Sequence, residues 1–191
     1  MRAFEDGWID ERSLKRAASP IESPRSADEI RREVEGFRGR VISLTYNLER
    51  LIDALIVWHL FRDRDDGMAS VFEEDILHGG SLGLERKVRL ARAIAEEWLD
   101  DQDDDAVGYG RAIVSAKSYR DQVAHWPTRL QPLEDESGCV VDYVAFIEKG
   151  RTSTMLTSEA MTDWLATLEE ASSRTQAIID RITGHIRAGL D

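Results

Sequence analysis

The chain carries a single cysteine, Cys139, in 191 residues. No disulfide can close within it, and a reducing compartment is the simplest setting. No segment approaches the roughly 18 consecutive apolar residues that span a bilayer, and the start of the chain lacks a signal peptide's apolar core. We therefore expect a soluble, cytoplasmic protein with no membrane partner. Positive charge is scarce, with 25 Lys and Arg against 37 Asp and Glu and a formal net charge of −12. That balance excludes a broad nucleic-acid-coating surface, because phosphate affinity comes from clustered Lys and Arg. There is no sequence repeat, no glycine-rich phosphate loop, no zinc-ligand cluster and no nucleophile elbow, so no cofactor is expected. The acidic run Asp100, Asp101, Asp103, Asp104 and Asp105 does not complete a calcium loop. A loop starting at Asp101 needs Gly sixth and Glu twelfth, where this chain has Ala106 and Ala112.

What is present reads as helix. Residues 1–25 mix charge, serine and two prolines without a period, and are expected to form a flexible arm. Ser26-Ala27-Asp28-Glu29 has the form of a capping box, and from there Ile30, Val34, Phe37, Val41, Leu44, Leu48, Leu51, Leu55 and Trp58 recur at three and four to about Phe61. Gly36 and Gly39 lie within that helix and predict a kink or a close crossing. Between Leu51 and Leu60 only Asp53 and His59 are polar, so this part is either core or dimer interface, and His59 reads as a core or interface histidine.

A short helix over 70–77 should stop at Gly79-Gly80, with His78 at its end, and another should run from about 81 to 99. That second helix carries Arg86, Lys87, Arg89 and Arg92, the densest basic patch of the chain and a candidate place for phosphate. The ordinary alternative is a solvated face that pairs with the many carboxylates. A further helix is expected over 104–125. After it the period changes, and the β-branched and aromatic run at 139–147, with Lys149-Gly150, predicts a hairpin over 139–156. Thr157 or Ser158 then caps a last helix reaching about Ile186, with His185 solvated near its end.

The expected fold is thus all-α, an antiparallel helical bundle in one domain over 26–191, with a small β-hairpin inserted before the last helix. The stretch that organises it is Ser118-Tyr119-Arg120-Asp121-Gln122-Val123-Ala124-His125-Trp126-Pro127. The residue before a proline is driven out of helical backbone space, so the helix should end near His125. Residues five apart in a straight helix point about 140° away from each other. A joint Arg120 and His125 site therefore needs an unwound last turn or a second subunit. Histidine can move the proton of a ribose 2′-hydroxyl, and arginine can stabilise charge on a phosphate.

This arrangement of Arg, a polar residue and then His after a short gap, late in a small helical domain, resembles the HEPN (higher eukaryotes and prokaryotes nucleotide-binding) family. Many of its members are ribonucleases of toxin, phage-defence and RNA-processing systems. The resemblance covers about 26–185, mostly by helix order, and its residue-specific part is Arg120, Asp121 and His125. It implies a metal-independent endoribonuclease in which His125 is general base or acid, Arg120 binds the scissile phosphate, and Asp121 supports Arg120 or a backbone group. It also implies a homodimer that brings two motifs together, for which the apolar helix over 44–60 offers a surface, and a neutralising antitoxin as partner. In one subgroup a tyrosine two places after the histidine is modified by a nucleotidyltransferase antitoxin; Pro127 stands there in this chain, which speaks against that kind of antitoxin. The rival readings are a non-catalytic dimeric binding or regulatory module of the same fold, and an antitoxin-like protein whose acidic face masks a basic partner.

Overall fold

The computed structural model describes residues 27–61, 67–99, 105–134, 140–148 and 151–188. The expected arm, the Ser26 cap, the acidic residues 100–104, Cys139 and the turn at 149–150 lie outside the described residues. Helix dominates, as expected: α1 (Ala27–Phe61), α2 (Gly67–Val71), α3 (Leu84–Trp98), α4 (Asp105–His125) and α5 (Ser158–Ala188). A π-helical stretch, Phe72–His78, continues α2. Between α4 and α5 lie the strands β1 (Thr128–Glu134), β2 (Val140–Glu148) and β3 (Arg151–Leu156).

The insert has three strands where two were expected. They are antiparallel in the order β1-β2-β3, so the expected hairpin of β2 and β3 gains an edge strand. Pro132 lies in β1 and conceals it from sequence reading. Proline donates no ladder hydrogen bond and is tolerated on an edge, which is where β1 lies.

The backbone gathers into two compact units, Met1–Arg40 with Asp121–Asp163 and Val41–Arg120 with Trp164–Asp191. In the first unit Ile30, Val34 and Phe37 of α1, Val123 of α4, and Leu156 of β3 are buried. Val144, Ala145 and Phe146 are buried in succession, so the central strand β2 is covered on both faces. Thr157 caps α5 as expected, accepting the Ala160 N–H on Oγ1 at 3.0 Å.

In the second unit the α1 stripe continues through Val41, Leu48, Ile52, Leu55, Ile56 and Val57, all buried. Part of the apolar surface expected for a dimer over 44–60 thus lies in the chain's own core, while Leu44, Leu51 and Trp58 are half-buried and Tyr46 and Leu60 are exposed. Among the described residues Gly36 and Gly39 mark no close crossing, since a Cβ on either meets nothing within 4 Å. α4 and α5 run antiparallel, because Tyr109 meets Thr175 while Tyr119 stacks on Trp164. α1 and α3 run parallel, because Lys87 meets Glu49 and Asp53 while Trp98 meets His59 further along both helices.

Candidate functional site

The end of α4 is held by three backbone acceptors. In an α-helix each carbonyl accepts from the N–H four residues on, and the Trp126 N–H donates to the Gln122 carbonyl at 2.9 Å. The next carbonyl, Val123, would take its donor from residue 127, but Pro127 has no N–H. Arg38 of α1 supplies the donor, with Nη2 2.6 Å from the Val123 oxygen. Beyond the helix, the Pro127 carbonyl accepts the Ile147 N–H of β2 at 2.9 Å. His125 is the last residue of α4 and is exposed, although the backbone on both sides of it is fastened.

Arg120 and Asp121 are half-buried and neither is a free side chain. The division between the two units falls between them, so Arg120 belongs to one and Asp121 and His125 to the other. α4 is helical to His125. One residue before Arg120, the Tyr119 ring lies flat against Trp164, with centroids 4.2 Å apart and an interplanar angle of 9°.

The basic patch on α3 loses one member. Lys87 is buried at 3% exposure, with Nζ 2.8 Å from Glu49 Oε1, 2.9 Å from Asp53 Oδ1 and 3.0 Å from Asp53 Oδ2. It faces inward because it lies three residues after Leu84 and four before Ala91, on the apolar stripe of the helix. A phosphate cannot reach it there. Arg86, Arg89 and Arg92 are exposed and spaced by three, so they share a different face. Arg92 lies along α4 where Gly110 has no side chain, since a Cβ there would meet its Nε at 3.1 Å.

The Lys87 cluster was not anticipated, although a lone Asp53 in an apolar run implied a buried partner. Lys87 donates a well-aligned bond to Oδ2, whereas Oδ1 has ion-pair contact without a hydrogen bond among the described residues. Burial pushes the Asp53 carboxyl above its usual value, and the Lys87 ammonium draws it only part of the way back. Burial alone would pull Lys87 down, but Glu49 and Asp53 together hold it above its ordinary value as a cation. His78, at the expected helix end, lies 3.6 Å from Asp53 Oδ2. The ammonium and the Asp53 carboxylate are both enclosed, while Glu49 and His78 reach the surface. His59 is also engaged on both nitrogens: Trp98 Nε1–H donates to Nδ1 at 3.2 Å, and Nε2 lies 3.8 Å from Glu97. His185, expected to be solvated, is exposed but rests against the edge of Trp98.

Among the described residues no group of three His, Cys, Asp or Glu is placed to hold a metal ion, and no helix is long and apolar enough to cross a membrane. No family profile, curated protein or solved structure matches this chain.

Proposed function

We propose that this chain is an endoribonuclease of toxin or phage-defence type, working in the cytoplasm as a homodimer. The observation that carries the reading is His125, solvent-facing on a helix end whose backbone is fastened on both sides. A reacting group has to be accessible and yet held in place. In the reaction His125 takes the proton of a ribose 2′-hydroxyl or delivers one to the leaving oxygen. The 2′-oxygen forms its bond to phosphorus as the bond to the 5′-oxygen breaks, leaving a 2′,3′-cyclic phosphate and a 5′-hydroxyl. Arg120 stabilises the charge gathering on the phosphate, and Asp121 orients Arg120 or a backbone group. Residues five apart in an ideal helix face away from each other, so a second copy of the chain supplies the partner of each pair. Arg86, Arg89 and Arg92 offer a track for neighbouring phosphates. The resemblance to HEPN ribonucleases supports both the chemistry and the dimer, and a neutralising antitoxin fits the same setting.

One observation favours a second reading, a non-catalytic dimeric module of this fold. The net charge of −12 repels a polyanion unless the site is locally basic. Incubating the purified protein with a mixed RNA pool in excess EDTA, beside folded Arg120→Ala and His125→Ala variants, separates the two. Cutting by the wild type alone, with cyclic phosphate ends, is expected; a well-folded dimer that leaves every RNA intact sinks the ribonuclease and favours the module.

A further inference from the structure

We propose that Arg38 is a positioning residue for His125, standing in for the backbone donor that Pro127 lacks; the catalytic part of this rests on the ribonuclease reading above. The reasoning begins with the carbonyls of the last turn. Trp126 satisfies Gln122, and no local N–H exists for Val123, which is 1% exposed and so cut off from water. A buried carbonyl left without a donor is costly, and the chain meets this with a guanidinium from 85 residues earlier.

Arginine suits the task better than other donors. It is charged at every working pH, its fork is planar and stiff, and a cation is favoured at the negative end of a helix. The 2.6 Å separation is short, as expected for a charge-assisted bond. Two residues further on, His125 projects into solvent, and the Pro127 carbonyl is then secured to Ile147. Arg38 thus fixes the helical register from which the imidazole extends, without being required to touch RNA. Its removal frees the last turn to fray, and small displacements of a reacting group reduce the rate steeply.

The test uses the full chain with Arg38→Met, Arg38→Lys and the double variant Arg38→Met with Pro127→Ala. Lysine retains a cationic donor, and alanine at 127 returns the backbone N–H that a continued helix would direct to the Val123 carbonyl. Amide hydrogen exchange at Trp126 is expected to speed up about tenfold in Arg38→Met and to slow again in both other variants. Amides of the Val41–Arg120 stretch should keep their protection, which shows that the variants are folded. On cleavable RNA, kcat should fall about a hundredfold in Arg38→Met with KM nearly unchanged, and Arg38→Lys should recover most of it. Unchanged Trp126 exchange in a folded Arg38→Met protein overturns the proposal, as does faster exchange that leaves the kcat of an active enzyme untouched. A wild type that cuts no RNA removes the ribonuclease reading alone, because the exchange measurement still decides whether Arg38 holds this helix end.

Discussion

The indole N–H of Trp98 donates to Nδ1 of His59 at 3.2 Å, which requires that nitrogen to carry a lone pair. His59→Leu removes that acceptor and should therefore move the Trp98 indole N–H resonance upfield, as the bond is lost. A Trp98 signal that stays in place in a folded His59→Leu protein contradicts the assigned bond.

Tyr109 is fully buried, hydrogen-bonded to Thr175 at 3.2 Å, and burial pushes its phenol up to about 12 from 10.0. The folded protein therefore holds this proton more tightly than the unfolded chain. The stability that follows is complete below pH 10 and is lost as pH rises to about 12, amounting to about 2–3 kcal/mol. Urea unfolding at several alkaline pH values should show that decline, and Tyr109→Phe should flatten it.

Lys87→Met should destabilise the protein by about 3–5 kcal/mol at neutral pH, because it strands the Asp53 carboxylate in the core. Pairing it with Asp53→Asn should restore much of the loss. The pH dependence has a definite sign. Asp53 is already pushed up by burial, and removing Lys87 takes away the two largest of the three influences that lower it. A raised carboxyl favours the folded state at low pH and loses that contribution as pH rises through its folded value, so the Lys87→Met deficit should shrink on acidification. A deficit independent of pH in chemical denaturation is the contrary result.

Two glycine substitutions should behave oppositely. A Cβ on Gly79 would run into the Asp75 carbonyl oxygen, which is backbone and cannot swing aside. Gly79→Ala should cost about 1–3 kcal/mol. On Gly108 the nearest atom is Arg174 Nη1 at 2.9 Å, the end of a flexible side chain. Gly108→Ala should be neutral or gain up to about 1 kcal/mol from helix propensity. Thermal melts of the two variants decide.

Sequence periodicity located α1, α3, α4 and α5 because their apolar stripes are long, and the Thr157 cap and the strands β2 and β3 follow from local chemistry. β1 was hidden by Pro132, whose tolerance on an edge depends on a neighbour the sequence does not reveal. The burial of Lys87 was legible in its helical phase, yet three adjacent arginines make the same stretch look solvated. At the site, Pro127 signals a missing donor at Val123, but nothing local says which residue supplies it. Over 44–60 the sequence leaves core and dimer interface open because both produce the same apolar run; Leu48, Ile52, Leu55, Ile56 and Val57 are core, while Leu44, Leu51 and Trp58 are half-buried.

The bond from Arg38 to Val123 also sets an order of assembly. α4 can form from its own neighbours, but its final turn is completed only after a loop of 85 residues has closed. Contacts so distant along the chain cost closure entropy that local helix formation does not. A chain with α4 formed but Arg38 not yet in place leaves the Val123 carbonyl without that donor.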